Sequence, residues 1–224
     1  MSVVGRILNE VKPNIILDTP CGNGWLKSKL NFEHTLDGLD LFEDKPNGYE
    51  NFSNADLDYG IPNNLGKYDA IVTCEGIEHV GNPLLLLTSA KEHLRPEGIL
   101  IVTTPNTWYP GSKLKYILNG FFPSFPCLAG KIKRGNHMHI MPWTFPQLYL
   151  YLKLAGYSDI KLYDIPEKKP KHFFEYLIGL PQKLYCQRKK KKSIDEEEKQ
   201  FWEYAGSLQS VFGRRLVVSA RYSK

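Results

Sequence analysis

Asp18, Gly22 and Gly24 sit in the stretch Ile15-Ile16-Leu17-Asp18-Thr19-Pro20-Cys21-Gly22-Asn23-Gly24-Trp25-Leu26, where residue type and spacing suit a turn that grips a ligand. The run before Asp18 is apolar and β-branched, so its carboxylate should end a strand buried on both faces. Two glycines tolerate positive φ and let a ligand come close to the backbone. A helix expected from Trp25 to Leu30 would aim its free N–H groups back at this turn. Asp18 would repel a pyrophosphate and welcome a cation. The third glycine of a dinucleotide-binding turn is replaced by Lys27, which disfavours a nicotinamide enzyme. Asp40, sixteen residues after Gly24, ends a second short strand over 35–40. A carboxylate there can accept both hydroxyl protons of a ribose, although a plain surface acid beside Glu43 and Asp44 is the simpler alternative.

Proton transfer near neutral pH falls to histidines. His79 follows the strand 68–74 in Glu75-Gly76-Ile77-Glu78-His79-Val80, where it either faces a cleft or merely bonds backbone at a helix entry. His137 and His139 are two apart and point the same way if that segment is extended. As metal ligands they lack a third donor at convincing spacing, so no metal is expected.

The elements that must position these groups alternate along the chain. An amphipathic helix over 3–11 precedes the first strand and stops at Pro13. After strand 68–74, Pro83 begins a helix over 84–94, and Ile99–Asn106 reads as a β-branched strand with a turn at its end. This alternation points to a parallel α/β sheet with helices on both faces. From Trp108 to Gly135 the regularity fades among prolines and glycines, and Trp108, Tyr109, Tyr116, Phe121, Phe122 and Phe125 crowd the stretch. Residues 107–143 are therefore expected to form a lid or acceptor-site insertion. Thr144 caps a helix that ends at Gly156. Residues 159–165 and 215–222 read as strands, and between them 166–213 forms a helical, basic insertion that ends in an amphipathic helix up to Phe212.

The chain has 224 residues, 42% hydrophobic and 24% charged, and is expected to fold as a single domain over 1–224. No apolar run reaches the length of a membrane span, and the first residues lack a signal-peptide core. Cys21, Cys74, Cys127 and Cys186 are widely spaced, which suggests a reducing cytoplasm with neither disulfides nor zinc. The net charge of +5 is modest. The run Arg188-Lys189-Lys190-Lys191-Lys192 reads first as a solvated loop balanced by the acids at 195–198. Its second reading is peripheral contact with anionic lipid through 173–192, at the surface of a membrane. Nucleic acid is the weakest partner, since no binding motif accompanies the charge.

The Asp-x-x-x-Gly-x-Gly turn resembles the first motif of class I S-adenosylmethionine-dependent methyltransferases. The segments from Asp69 through Ile77-Glu78-His79-Val80 and from Leu94 through Pro105-Asn106 are similar to the branch that holds ubiquinone-pathway and surface-glycan O-methyltransferases. His139-Ile140-Met141-Pro142-Trp143-Thr144 resembles a stretch in the glycan enzymes. The resemblance covers residues 1 to about 165 plus the final strand. It implies a doubly wound, mostly parallel seven-stranded, Rossmann-like sheet closed by an antiparallel edge strand, with helical insertions. It implies S-adenosylmethionine as cofactor, held by Asp18, Pro20, Cys21, Gly22, Asn23, Gly24, Asp40, Leu41, Asp56, Leu57, Cys74, Glu75 and Gly76. Asp56 would take the adenine amino group and Leu57 its ring; an ordinary Asx turn explains Asp56 nearly as well. The expected reaction is O-methylation of a sugar or glycan intermediate, with His139 favoured over His79 and His137 as general base. A quinone-like small-molecule acceptor is the alternative, and a non-catalytic cofactor-binding scaffold a further one. The sequence leaves the oligomeric state open.

Overall fold

The computed structural model describes residues 2–41, 44–123, 125 and 138–222. Its strands are β1 (Ile15–Asp18), β2 (Thr35–Asp40), β3 (Phe52–Asn54), β4 (Tyr68–Cys74), β5 (Leu94–Pro105), β6 (Ser158–Leu162) and β7 (Arg215–Arg221). They form one seven-stranded sheet in the order β3-β2-β1-β4-β5-β7-β6. The first five strands pair in parallel. β7 runs antiparallel to β5 on one side and to β6 on the other, so the expected antiparallel pair closes this edge.

Period-two alternation sends successive side chains to opposite faces. Leu17, Ile71, Leu100, Val102, Leu216 and Val218 point into one core layer, which α2 (Pro83–His93) and α4 (Phe145–Leu154) cover. Ile16, Ala70, Val72, Ile99, Ile101 and Val217 point into the other, covered by α1 (Ser2–Val11) through Val3, Val4, Ile7 and Leu8. Strands buried on both faces need such unbroken apolar runs. α2 starts as read from sequence, with Pro83 in its first turn and the Asn82 side chain accepting from Leu85 N. α4 likewise has Thr144 accepting from Gln147 N.

Three expectations are corrected. Trp25 to Leu30 makes no α-helix; only a 3₁₀ turn forms at Lys27–Lys29. Six residues cannot repay helix nucleation, so no helix N-terminus faces the glycine turn. The stretch after Trp108 is more regular than its composition suggests: α3 spans Pro110–Asn119. The supposed breakers are its ends, Pro110 in the first turn and Gly120 in the left-handed region at φ 77°, its N–H donating to Tyr116 O. The helix read up to Phe212 is two, α6 (Glu196–Ala205) and α7 (Leu208–Phe212), divided at Gly206. Before them runs α5 (Phe173–Lys190), and all three lie between β6 and β7 in chain order. The short strand β3 carried no expectation at all. Cys127 and His137 lie outside the described residues, as does most of 124–137.

Candidate active site

The parallel strands end side by side, and their loops bring the acidic and glycine residues together. At the end of β1, Asp18 is fully buried. Its Oδ2 accepts from the Tyr49 hydroxyl at 2.6 Å, while its Oδ1 has no partner among the described residues. Burial pushes its carboxyl up to about 7; the Tyr49 bond opposes this rise and nearby Asp40 adds to it. The Tyr49 hydroxyl is itself held firmly protonated by burial and by the Asp18 charge. An orphaned buried acceptor fits a cationic ligand group, as the sequence suggested for Asp18.

Gly22 and Gly24 adopt φ of 50° and 79°. A Cβ on Gly24 would stand 2.5 Å from Pro46 Cβ, so this turn admits no side chain there. At the end of β2, Asp40 accepts from Gly22 N through Oδ2 at 2.9 Å and from Leu41 N through Oδ1 at 2.7 Å. Those bonds hold the carboxylate rigidly at the end of β2, where a ribose contact would need it. Asp56 accepts from Asp58 N at 3.0 Å and caps a 3₁₀ turn, so the Asx turn exists. Leu57 beside it is buried.

At the end of β4, Cys74 is buried and its thiol is pushed up strongly by desolvation, so it stays neutral. Glu75 has φ 51°, unusual for a residue with a side chain, and is held there by its neighbours. Its N–H donates to Thr103 O, and its Oε1 accepts from Thr103 Oγ1 at 3.0 Å and lies 3.5 Å from Arg215 Nε. Gly76 presses on the first loop: a Cβ would come within 2.3 Å of Pro20 Cδ. Pro20 and Gly76 thus set the spacing of two walls rather than offering polar contacts. Cys21 is buried against Gly38, and its N–H donates to Leu39 O. Asn23 lies between the two glycines on the same turn.

The histidines meet after the same loop, and His139 lines one cavity with Glu75. The backbone carbonyl of Glu78 accepts from Ile140 N and Met141 N, which pins the segment carrying His139 beside His79. His79 Nδ1 donates to Met138 O at 2.7 Å, so its Nε2 carries the lone pair when the ring is neutral. That Nε2 lies 4.0 Å from Glu78 Oε1, which is buried with no hydrogen-bond partner among the described residues. Glu78 Oε2 accepts from Thr104 Oγ1 at 2.9 Å. Burial pushes the Glu78 carboxyl up to about 7, with Glu75 adding to the rise and Thr104 opposing it. The rings of His79 and His139 meet edge to face at 4.8 Å. Partial burial and His79 push the His139 imidazole below its usual range. One ligand atom each of Glu78, His79 and His139 falls within 4.8 Å of the other two. Sequence spacing offered no third donor to the His pair; folding supplies Glu78. Such a trio can relay a proton, and the same donor set could hold a divalent cation.

A cavity of about 490 Å³ opens between His139, Glu75 and the end of β5. Asn106, Thr107, Tyr109, Arg214 and Arg215 also line it; the sequence placed Thr107 and Tyr109 in the acceptor-site insertion but singled out neither Asn106 nor the two arginines for a site. Asn106 Nδ2 donates to Ser210 O and Gly213 O, which anchors the loop before β7 to the end of β5. The Arg214 guanidinium sits 4.2 Å from the Tyr109 ring centroid and donates to Glu175 Oε1 at 3.1 Å. The Pro-Asn step after β5 was a usable signal for Asn106; Arg214 and Tyr49 gave none, since long-range pairing alone brings them here.

The two buried carboxyls predict a pH effect on stability. Both have folded pKa values raised above the ordinary carboxyl range, so their contribution is fully present below about pH 4 and is lost as pH rises through about 7. Asp18→Asn should therefore melt higher than wild type at pH 8, by about 1–3 kcal/mol of stability, and no higher at pH 4.5. Thermal melts of ligand-free protein at the two pH values check this.

Comparison with known proteins agrees with the geometry. The chain is 28% identical over 140 residues to a ubiquinone biosynthesis O-methyltransferase of Rickettsia canadensis, covering 58% of this chain and 56% of that protein. It is 26% identical over 147 residues to the mitochondrial ubiquinone biosynthesis O-methyltransferase of Rattus norvegicus, covering 59% and 40%. The matched stretch thus spans about half the length of these curated relatives. Among solved structures, a SAM-dependent methyltransferase from Archaeoglobus fulgidus superposes with TM-score 0.55 at 16% identity, covering 98% of this chain and 93% of that one. A 1,6-didemethyltoxoflavin-N1-methyltransferase from Burkholderia thailandensis gives 0.54 at 13%, covering 99% and 77%. These two likenesses speak for the fold. A methyltransferase-domain family model matches residues 3–162, from α1 to the end of β6. That match spans well over half of the chain, which belongs to the methyltransferase-domain family.

Proposed function

We propose that this protein is an S-adenosylmethionine-dependent O-methyltransferase acting on a hydroxyl. The observation that carries the reading is that the loop after β4 joins two half-sites: Gly76 packs on Pro20 of the Asp18–Asp40 glycine turn, and Glu75 lines a cavity with His139 of the Glu78–His79–His139 trio. When bound, S-adenosylmethionine supplies a methyl group already activated on a sulfonium. The chain's own residues then bind, orient and move a proton. Asp40 would hold the ribose hydroxyls and Asp18 the ammonium. His139, kept neutral by its surroundings, takes the proton from the acceptor hydroxyl. His79, with Nδ1–H fixed on Met138 O, and Glu78 provide the neighbouring proton sites. Holding the acceptor in line can contribute several kcal/mol, about 7–11 at best.

The cavity wall favours a polar acceptor. Tyr109, Lys171, Arg214 and Arg215 suit the hydroxyls of a sugar or glycan intermediate, which is the acceptor we put first. A phenolic, quinone-like acceptor is the second reading, and the names of the curated relatives favour it. A screen with methyl-labelled cofactor over nucleotide sugars, oligosaccharides and catechols separates them. Label transferred to sugar hydroxyls is the expected result. Label only on catechols makes the second reading correct, and cofactor that fails to bind at all overturns both.

A further inference from the structure

Beyond methyl transfer, we propose that α3 and α5 form a docking face for an anionic lipid bilayer. α5 buries one stripe, Glu175, Gly179 and Cys186, against the protein. Directly opposite, at spacings of i, i+4, i+7 and i+11, stand Phe173, Leu177, Leu180 and Leu184, which are 83, 66, 49 and 45% exposed. An amphipathic helix turned the usual way would hide that stripe. Arg188 and Lys191 continue it at i+15 and i+18, so the same face passes from apolar to cationic along the helix.

α3 packs beside α5, with Lys113 Nζ donating to Gln182 Oε1 at 2.7 Å. It shows a second exposed apolar stripe, Leu114, Ile117, Leu118 and Phe121, with Ile117 and Leu118 at least three-quarters exposed. α3 carries Lys113 and Lys115 and no acid, and the acid of α5, Glu175, is buried and paired with Arg214.

The alternative reading of the basic run, a solvated stretch neutralised by the acids after it, does not match the pairing. Among the described residues, Lys190 alone of that run takes part in an ion pair, with Glu203. Glu196 pairs with Lys199, Glu197 with Lys153, and Glu198 accepts from Trp202 Nε1. Arg188, Lys191 and Lys192 are left exposed next to the apolar stripe. An apolar stripe flanked by cations complements the interface of a bilayer that carries negative headgroups. The face also leads inward. Tyr116 of α3 stacks on Phe122 at 4.4 Å, Phe122 meets Phe125 at 5.7 Å, and Phe125 meets His139 at 6.0 Å. α5 lies beyond the stretch matched by the family model and α3 within it, so the α5 half of the face is an addition to the matched domain.

Co-sedimentation of the full chain with vesicles tests the proposal without cofactor or acceptor. Wild type is expected to pellet with phosphatidylcholine vesicles containing phosphatidylglycerol, and to pellet poorly with phosphatidylcholine alone. The pairs Leu177→Asp with Leu180→Asp, and Arg188→Glu with Lys191→Glu, should each weaken binding at least about tenfold. All four positions are exposed, so circular dichroism should show an unchanged fold. Three results would overturn the proposal: wild type left in the supernatant with anionic vesicles, equal binding to both vesicle types, or both variants binding like wild type. Analytical ultracentrifugation supplies the fourth: a wild-type dimer that Leu177→Asp with Leu180→Asp dissociates, without vesicle binding, would assign the face to a second copy of the chain.

Discussion

His139→Ala should lower kcat for methyl transfer by about 10²–10⁴-fold, the usual share of a general base, while cofactor affinity measured by calorimetry stays unchanged. His139 lines the cavity, whereas Asp18 and Asp40, the residues proposed to hold the cofactor, do not line it. The pH profile should carry the same signature. Wild-type kcat/KM should climb through an acid limb below the usual imidazole range, because burial and His79 disfavour the charged ring. His79→Ala should shift that limb upward by removing a like-charged neighbour, and should cost less in kcat than losing His139. Chelation separates proton relay from metal. Activity kept in EDTA assigns the trio to proton transfer, and activity lost in EDTA and restored by a divalent cation assigns Glu78, His79 and His139 to a metal instead.

Asp40→Ala is expected to abolish measurable cofactor binding. The carboxylate would make two charge-assisted bonds to ribose hydroxyls, worth about 1.5–3 kcal/mol each, so the loss is about 10²–10⁴-fold in Kd. The variant also frees Gly22 N and Leu41 N, which loosens the turn that must meet the cofactor. Asp40→Asn tells these effects apart. It keeps an oxygen for one N–H and retains the turn, so it should bind weakly but measurably. Calorimetric titration with S-adenosylmethionine reads all three proteins. Alanine binding as tightly as wild type would remove Asp40 from the site.

Much of this was legible in the chain because buried parallel strands leave a strong imprint. Ile15–Asp18, Tyr68–Cys74 and the apolar part of β5 are mostly apolar runs rich in β-branched residues, and each ends in the residues that face the site. Thr144, Asn82 and Pro83 mark helix starts through local bonding, which spacing alone can reveal. What stayed hidden depends on distant segments. Tyr49 reaches Asp18 across 31 residues, and Arg214 reaches Glu175 across 39. Glu78 reads in sequence as a residue that faces the cleft or caps the next helix, and becomes a buried acceptor only once Thr104 and the segment 138–141 close over it. The false helix at Trp25 and the missed helix α3 share one cause. Residue preferences were weighed without asking whether enough residues followed to complete the turns, or whether Pro and Gly stood at ends instead of interiors.

The strand β7 lies inside the sheet although it comes late in the chain. Leu100 pairs with Ala220 and Val102 with Val218, so β5 waits for a partner made more than a hundred residues later. Closing so long a loop delays pairing. A growing chain on the ribosome therefore holds β1 to β5 nearly assembled while one apolar strand edge stays open, and 166–213 must emerge before β7 can cover it. For this protein the hazardous interval is one of timing: an unpaired edge next to a nearly finished core is the species that invites wrong partners, and the speed of translation through 166–213 sets how long it lives.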